Sequence, residues 1–385
     1  MNFVKNKRWR AGPAPYGLAA LATVVLLAGA ELYFRADQRL PSFTEPSPRA
    51  IRLKEHRPLY HAELALSDED SVKTAGLSGQ SIIFRTDQDG FILPSATHSD
   101  PEVVIVFLGG STTECKFLPE EKRLPYLAGR ILEEKTGKRI NSYNAGVSGN
   151  HSLHSLNILL NKVIPLRPNL VVFNHNLNDL VYLLYMGSYW RDHPTRSLII
   201  TPREETGARG AAAAAKNLVR KTGRWLFPTL AKKAGALYLK LFPCAKIDEW
   251  SDIRGQTIDY DLEKMEREFQ ANLQTFIDIC RAREIEPILL TQASRLKQKP
   301  DSAIKEGFRP MELAGISYPA FREAHRRFNQ VIREIADKNQ VTLIDLEEII
   351  PSESEYLYDL VHLNERGAEV AATAIAECLV GFITK

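Results

Sequence analysis

The stretch VVIVFLGGSTTEC, from Val103 to Cys115, decides the fold of this chain. An apolar run rich in β-branched residues ends abruptly in two glycines and a serine, as a buried strand does where it meets a turn. Ser111 follows that turn, so it is either the cap of a helix or a nucleophile held at the end of a strand. Residues elsewhere in the chain distinguish these two interpretations.

Short apolar runs of the same kind recur along the chain and alternate with helical patterns. The further predicted strands are Arg139–Asn144, Asn169–Asn174, Glu286–Thr291 and Val341–Leu346. The predicted helices are Leu118–Lys135, Leu153–Ile164, Leu262–Arg283, Phe321–Lys338 and a last helix from Asn364 to about Phe382. Strands that alternate with helices favour a parallel sheet covered on both faces. The sequence therefore predicts an α/β fold, a flavodoxin-like three-layer α/β/α sandwich with a five-stranded parallel sheet.

Charge and cysteine spacing exclude several classes of function. The formal net charge of +3 is too small to indicate a nucleic-acid-binding protein. The four cysteines show neither zinc-type nor CxxC spacing, although a disulfide between two of them remains open. His151, His154 and His175 lie on different turns without matching carboxylates. We therefore expect no metal site and no cofactor.

The N-terminus carries basic residues before an apolar run from Pro15 to Ala30, which Tyr33 and Phe34 extend. A membrane-spanning helix needs about 20 mostly apolar residues, and basic residues before it favour a cytoplasmic N-terminus. We therefore expect residues 1–35 to form a single-pass signal anchor, with the catalytic domain on the extracytoplasmic side. Ala28-Gly29-Ala30 fits a cleavage site, so a secreted protein with a removed signal peptide is the alternative. A buried helix of the soluble domain is a more distant possibility.

Two further segments are set apart by composition. Residues 36–100 contain several prolines and are interpreted as a linker and irregular lead-in. Residues 101–385 form the predicted main domain, interrupted at about 185–260 by an insertion that includes the basic stretch Ala211–Phe242. This stretch is interpreted as a helical insertion with a solvated basic face, as a helix on a membrane surface, or as a lid that meets an acidic polymer.

Glycine and polar residues follow three other predicted strands, at the edge where parallel sheets bind ligands. The second strand is followed by NAGVSGN (Asn144–Asn150), the third by NHNLND (Asn174–Asp179), and the last, after a loop, by DLVHLN (Asp359–Asn364). Taken singly, each motif fits ordinary turn or helix-cap chemistry. Together they place a serine, a glycine N–H, an amide and an Asp-x-x-His pair at one edge of the sheet.

These four blocks resemble the SGNH (GDSL-type) hydrolase family, over about Val103 to Phe382. FLGGST corresponds to the Gly-Asp-Ser block of the family, NAGVSGN to its glycine block, NLND to its Gly-x-Asn-Asp block and DLVHLN to its Asp-x-x-His block. Two positions differ from the family pattern. Gly110 stands in place of Asp, and Asn176 stands in place of Gly, although Asn tolerates a left-handed backbone better than most residues.

The resemblance implies a role for each matching residue. Ser111 is the expected nucleophile, His362 the general base, and Asp359 the carboxylate that orients His362 and stabilises its charged form. The expected oxyanion hole consists of the backbone N–H groups of Ser111 and Gly149 and the side-chain amide of Asn178.

The leading functional hypothesis is a serine esterase that hydrolyses O-acetyl groups of an extracytoplasmic glycan. Membrane-anchored members of the family often serve cell-surface polysaccharide assembly, so the resemblance implies acetyl chemistry there. An O-acyltransferase is the first alternative, because transfer to a sugar hydroxyl uses the same acyl-enzyme. A non-catalytic scaffold of an envelope assembly complex is the second. The expected partners are an acyl-ester substrate and, through the N-terminal helix, a membrane, but no nucleic acid.

Overall fold

The fold is organised around a parallel sheet whose strands lie in the order β5-β4-β6-β8-β9. The structure is a computed structural model and describes residues 50–65, 81–191, 198–200, 259–313 and 315–384. The described residues from Ile51 onward belong to one compact unit. The strands are β1 (Ala50–Ile51), β2 (His61–Ala65), β3 (Ser81–Arg85), β4 (Val103–Gly109), β5 (Ile140–Asn144), β6 (Leu170–Asn174), β7 (Ile199–Ile200), β8 (Glu286–Leu290) and β9 (Thr342–Ile344).

The register of the sheet brings the ends of its strands to one edge. Phe107 of β4 pairs with Asn144 at the end of β5, and Gly109 pairs with Asn174 at the end of β6. Numbered along the chain, the five strands follow the order 2-1-3-4-5, which is the flavodoxin-like order. The segments that contain Ser111, Gly149 and Asn178 all leave this edge, where ligands bind in open parallel sheets.

Alternate residues of each strand point to opposite faces, so the central strands bury both. Ile105 and Phe107 of β4 belong to one apolar core, and Val106 and Leu108 belong to the other. The first core is completed by the helices Leu124–Thr136 and Glu365–Ile383. The second is completed by the helices Ser152–Ile158, Leu177–Met186, Leu262–Ala282, Ser302–Leu313 and Tyr318–Asn339. Two one-turn helices, Ser111–Glu114 and Leu346–Ile349, follow β4 and β9.

The predicted three-layer sandwich with five parallel strands is confirmed, with strand ends within two residues of the predicted ones. The predicted helix Leu118–Lys135 starts too early, because Pro119 is followed by a 3₁₀ turn and the α-helix begins at Leu124. The predicted helix Leu153–Ile164 is irregular after Ile158, where a π-helical turn, Leu159–Val163, and a 3₁₀ turn, Ile164–Leu166, replace it.

The predicted lead-in contains regular structure. Strand β2 pairs antiparallel with β3, with His61 opposite Arg85 and Ala65 opposite Ser81. Strands β1 and β7 form a second two-stranded sheet. The described part of the lead-in is therefore more regular than its prolines indicate, because Pro58 and Pro94 lie outside the paired strands.

Several predictions concern residues outside the described ranges. They are the anchor or signal segment within 1–35 and most of the basic insertion at about 185–260, including Ala211–Phe242. In the part of the chain that the structure describes, no helix has the length and apolar character needed to cross a membrane.

Candidate active site

Ser111 is placed by a tight turn between the end of β4 and the helix Ser111–Glu114. The carbonyl of Gly110 accepts the N–H of Thr113 at 3.1 Å and so closes the turn. Gly109 has no room for a side chain, because a Cβ there would lie 2.1 Å from Thr113 Oγ1. The two glycines let the chain reverse without a steric clash, and Ser111 is left partly exposed at the carboxyl edge of the sheet.

The structure brings the side chains of Ser111, His362 and Asp359 together in one chain of hydrogen bonds. Ser111 Oγ lies 2.7 Å from His362 Nε2. His362 Nδ1 lies 2.7 Å from Asp359 Oδ2 and 2.9 Å from Oδ1. With the carboxylate at Nδ1, the ring carries its proton there and presents an unprotonated Nε2 to the serine hydroxyl. This is the arrangement in which a serine can be deprotonated as it attacks a substrate.

The loop that carries His362 is fixed by its own contacts. The backbone N–H groups of Val361 and His362 donate to Asp359 Oδ1 at 3.0 and 2.9 Å. The Tyr358 ring stacks on the imidazole, with ring centroids 5.4 Å apart and planes 8° from parallel. Asn364 caps the last helix by accepting the N–H of Gly367 at 3.0 Å. The imidazole is thereby held in register with Ser111.

Opposing effects set the charge state of the histidine and its carboxylate. Burial lowers the pKa of His362. The charge of Asp359 and the hydrogen bond to it raise this pKa by more than burial lowers it, so the pKa lies above the ordinary 6.5. Burial raises the pKa of Asp359, but the charge and hydrogen bonds of His362 outweigh it, so the pKa lies below the ordinary 3.8. Asp359 is therefore ionised at neutral pH and stabilises the protonated form of His362.

Gly110, the position that departs from the family pattern, lies directly against Asn178. A Cβ at Gly110 would come 2.1 Å from Asn178 Nδ2. The same amide nitrogen donates to the carbonyl of Asn150 at 2.8 Å. The glycine therefore allows the amide of Asn178 to approach the backbone beside Ser111, where the predicted oxyanion hole requires it.

Gly149 lies in the loop Asn144–Asn150, called the glycine loop below, which faces the short helix Ser111–Glu114. It has a φ of 71°, a left-handed conformation that glycine adopts without strain. The loop is held close to β4, since Val147 N–H donates to the Gly109 carbonyl at 3.2 Å. Gly149 is joined to Asn178 through its neighbour Asn150 rather than directly. The loop of Gly149 and the side chain of Asn178 therefore both lie beside the turn at Gly110.

Glu114 is a residue of the site that the sequence analysis missed. Its carboxylate is buried, although it belongs to the same short helix as Ser111. Oε2 accepts a hydrogen bond from Ser148 Oγ, and Oε1 lies 3.1 Å from His56 Nε2. Glu114 therefore links the short helix Ser111–Glu114 to the glycine loop and to the lead-in. The sequence signal that could have indicated a site role for Glu114 is its position three residues after Ser111.

Asp179 supplies a second buried carboxylate, which holds the end of the glycine loop in place. It accepts the backbone N–H of Ser152 at 2.8 Å and hydrogen bonds from the hydroxyls of Ser152 and Tyr189. Because Asp179 follows Asn178 in the chain, these bonds tie the helix that carries the amide to the end of the glycine loop. The predicted NLND block thus supplies a structural carboxylate as well as an amide.

The second departure from the family pattern is accommodated without a left-handed backbone. Asn176 has a φ of −167°, which is extended backbone that any residue adopts. Its side-chain amide donates to Asn329 Oδ1 at 2.7 Å and to the His325 carbonyl at 3.0 Å. The tolerance of Asn for positive φ therefore does not explain why Asn176 can stand in place of Gly here.

The other candidate groups, three histidines and a cysteine, are buried. Burial lowers the pKa of His154 to about 3 and that of His151 well below its usual value, so both rings are neutral near pH 7. His175 Nε2 lies 2.8 Å from Ser155 Oγ. Burial raises the pKa of the Cys115 thiol to about 11, so it is not a thiolate nucleophile.

Replacing Gly110 with alanine is expected to lower kcat by roughly 10²–10³-fold, the cost of losing one oxyanion donor. The new methyl group would displace the Asn178 amide, which lies where the Cβ must go. Ester hydrolysis by the purified variant measures the effect. Gly307→Ala is the matched control, because a Cβ there meets nothing within 4 Å. Unchanged kcat in a folded Gly110→Ala protein would show that the amide of Asn178 is not needed.

Several solved structures resemble this chain. An acetylxylan esterase from Geobacillus stearothermophilus is 15% identical, with 73% of this chain and 95% of that chain covered and a TM-score of 0.42. An α/β hydrolase from the metagenome of Lake Arreo, Spain, is 15% identical, with coverages of 72% and 97% and a TM-score of 0.42. A GDSL-like lipase from Bacteroides thetaiotaomicron is 16% identical, with coverages of 71% and 86% and a TM-score of 0.35. At these identities and scores, the likenesses say nothing about substrate.

A comparison with curated proteins gave no match. The model of the GDSL-like lipase/acylhydrolase family matches residues 107–370, which is more than half of the chain. The matched segment begins within β4 and ends within the last helix, so it contains the turn at Ser111, the glycine loop, Asn178 and the Asp359–His362 loop. The chain therefore belongs to the GDSL-like lipase/acylhydrolase family.

Proposed function

We propose that the protein is a serine ester hydrolase in which Ser111, His362 and Asp359 form the catalytic triad. The observation that carries this proposal is the continuous hydrogen-bonded chain from Ser111 Oγ through the imidazole to the Asp359 carboxylate. Membership of an esterase and acylhydrolase family supports the reaction type. A serine that served only as a helix cap would not need a histidine and an ionised carboxylate aligned behind it.

The proposed reaction runs through an acyl-enzyme. Ser111 Oγ attacks the ester carbonyl carbon while His362 Nε2 takes the hydroxyl proton. The tetrahedral intermediate collapses, its bond to the alcohol oxygen breaks, and His362 returns the proton to that oxygen. Water then attacks the acyl-enzyme with His362 again as base, which frees Ser111 and releases the carboxylic acid. Asp359 stays ionised throughout and stabilises the imidazolium.

The negative charge of the intermediate needs donors fixed in advance. We assign this role to the backbone N–H groups of Ser111 and Gly149 and to Asn178 Nδ2. The amide of Asn178 is close to the turn at Gly110, and its bond to the Asn150 carbonyl holds it there. Preorganised donors of this kind lower the barrier because they need no rearrangement as charge develops.

The proposed acyl group is short. A narrow crevice adjoins Ser111 and His362. About 180 Å³ in it and in the solvent at its mouth is free of protein atoms, and none of it admits a water molecule as the side chains lie. Its other lining residues are mostly apolar: Thr112, Cys115, Phe117, Leu118, Tyr358 and Leu363. An acyl group can enter only if these side chains move apart, and a crevice this narrow favours an acetyl group over a long acyl chain.

An extracytoplasmic glycan is the proposed source of the ester. The basic residues and the apolar run Pro15–Ala30 support an extracytoplasmic location through their sequence alone. The narrow apolar crevice beside Ser111 supports an O-acetyl substituent as the substrate. Release of free acetate from an acetylated polysaccharide would be the reaction in that setting.

A series of p-nitrophenyl esters tests the proposed reaction and the acyl length together. The acetate is expected to be hydrolysed with a kcat/KM at least about tenfold above that of the octanoate, since each methylene that does not fit beside Ser111 lowers kcat/KM. Phe117→Ala is expected to raise the octanoate rate by opening the pocket. Ile349→Ala, which shortens an exposed apolar side chain elsewhere, is the matched control. A wild-type preference for octanoate would contradict a short acyl group.

A further inference from the structure

The loop after strand β8 sends one side chain across the end of β6 to the proposed active site. Gln292 stands two residues after Leu290, the last residue of β8, and β6 separates β8 from β4 in the sheet. Gln292 is buried, with 6% of its surface exposed. It lies outside the four sequence blocks that resemble the family. Its amide group therefore comes from a strand end to which those blocks assign no role.

The amide of Gln292 bridges the two elements that carry the proposed nucleophile and an oxyanion donor. Gln292 Oε1 accepts the backbone N–H of Leu177 at 3.0 Å, and Gln292 Nε2 donates to Thr112 Oγ1 at 3.2 Å. Thr112 follows Ser111 in the chain, and Leu177 precedes Asn178. Because the N–H of Leu177 can only donate, it fixes which end of the amide faces each partner.

Both partners of the Gln292 amide depend on this contact. Leu177 is the first residue of its helix, and the first N–H groups of a helix have no acceptor within the helix. The N-cap residue of the same helix, Asn176, makes no side-chain cap bond. At Thr112 Oγ1, Asn174 Nδ2 is a second neighbour, but at the longer distance of 3.5 Å. Gln292 therefore satisfies a helix donor and makes the shorter of these two contacts to the threonine oxygen.

Gln292 is itself held in place by the helix Tyr318–Asn339. Its backbone N–H donates to Oδ1 of the buried Asn329 at 3.0 Å, and Asn329 Nδ2 donates to the Gln292 carbonyl at 3.0 Å. Further along the loop, the N–H of Arg295 donates to the Leu360 carbonyl at 2.8 Å. The loop after β8 is thus also fixed to the loop that carries the histidine of the proposed triad. A side chain on a backbone anchored in this way holds the elements that it joins at a set spacing.

We infer that Gln292 is a positioning residue of the esterase, which fixes the spacing between Ser111 and the amide of Asn178. This inference rests on the proposed function, in which that amide is an oxyanion donor. Such a donor lowers the barrier most when it is in place before charge develops on the substrate oxygen. Gln292 is not among the residues that line the crevice beside Ser111. It acts through Thr112 and Leu177 rather than on the acyl group.

Gln292→Met tests this inference, since methionine keeps the length of the side chain and removes both of its hydrogen bonds. On p-nitrophenyl acetate, kcat is expected to fall by about tenfold to 10²-fold, as for a displaced group near the reacting atoms. KM is expected to stay within about twofold, because binding of the ground state is not affected. Gln274→Met is the matched control. The amide of Gln274 also joins two elements, through Asn339, but these are two helices and not the turn at Ser111. Its loss should lower thermal stability without changing kcat.

Removal of Asn178 separates positioning from other roles of Gln292. In an Asn178→Ala background, Gln292→Met is expected to lower kcat by less than about threefold, because a donor that is absent cannot be misplaced. A further loss as large as that in the otherwise wild-type protein would contradict action through Asn178. A raised KM with unchanged kcat would assign Gln292 to substrate binding instead. Wild-type kcat in a folded Gln292→Met protein would overturn the inference.

Thr112→Val tests the same bridge from its other end, and it serves if Gln292→Met does not fold. It removes the oxygen that accepts from Gln292 Nε2 and keeps a side chain of similar shape. We expect kcat to fall at least about threefold with KM unchanged, because the turn at Ser111 is then held less closely. Unchanged kcat in Thr112→Val would contradict the bridge.

Hydrogen exchange, followed by NMR, separates this inference from the proposed reaction. The N–H of Leu177, which donates to Gln292 Oε1, should exchange at least about tenfold faster in Gln292→Met than in the wild type or in Gln274→Met. If Leu177 responds in this way but the wild type hydrolyses no ester, the proposed function fails and the bridge stands. If hydrolysis is normal and the exchange of Leu177 is unchanged, the positioning role fails and the proposed function stands.

Discussion

Replacing Ser111 with alanine is expected to reduce kcat for p-nitrophenyl acetate by at least about 10⁴-fold. The hydroxyl is the group that would form the acyl-enzyme, and its removal leaves only the oxyanion donors and substrate binding to assist water. The fold should survive, because Ser111 is partly exposed and its Oγ contributes one hydrogen bond to His362. Steady-state kinetics and thermal unfolding of the same sample separate the two effects.

A serine replaced elsewhere provides the control for this experiment. Ser302 is exposed at the start of the helix Ser302–Leu313, and the neighbouring Asp301 already accepts the N–H of Ile304. Ser302→Ala should therefore leave both kcat and stability nearly unchanged. If Ser111→Ala hydrolysed the ester as fast as the wild type, the proposed nucleophile would be wrong.

Asp359→Asn is expected to lower kcat by about 10⁴-fold while leaving the fold intact. The amide is similar in size to the carboxylate but can present an N–H to the ring. It would then favour the tautomer with the proton on Nε2, which points at Ser111 and cannot accept its proton. The carboxylate charge that stabilises the imidazolium would also be gone. Activity and the pH profile of kcat/KM measure these two consequences.

The expected pH profile follows from the opposing effects on His362. Burial lowers its pKa and Asp359 raises it more, so the pKa lies above 6.5 in the wild type. The imidazole must be neutral to act as a base, so kcat/KM should fall as pH drops through this raised value. In Asp359→Asn the effects of Asp359 that raise this pKa are gone, burial still lowers it, and only the smaller raising effect of the Glu114 charge remains. The acid limb should therefore move to lower pH. An acid limb at the same pH in both proteins would show that Asp359 does not control His362.

The fold was predictable because its strands are short apolar runs, each bounded by turn residues. Val103–Leu108 ends at the glycines that the turn requires, and its neighbours in the sheet share this pattern. The start of the helix Leu124–Thr136 was not predictable to the residue, because Pro119 is compatible with either a 3₁₀ or an α-helical first turn. The π turn Leu159–Val163 also lacks a signal, since its apolar spacing continues that of the helix before it.

The candidate site likewise contains residues that the sequence predicts and residues that it does not. Ser111, Asp359 and His362 could be predicted because each follows a strand or loop in a recognisable order. The reason for Gly110 could not, because it depends on how closely Asn178, 68 positions away in the sequence, approaches the turn. Glu114 was likewise hidden. Its buried carboxylate acquires its partners only when His56 and Ser148 fold against it.

Labelling with a fluorophosphonate probe tests the central claim, that Ser111 is an activated nucleophile, most directly. Ser111 Oγ would attack phosphorus, His362 would take the hydroxyl proton, and fluoride would leave, which gives a stable phosphonyl-serine. Mass spectrometry of the digested protein should then find one adduct, on Ser111, which is absent in Ser111→Ala and forms far more slowly in Asp359→Asn. A folded wild-type protein that remains unlabelled, or that carries its adduct on another serine, would contradict the proposed triad.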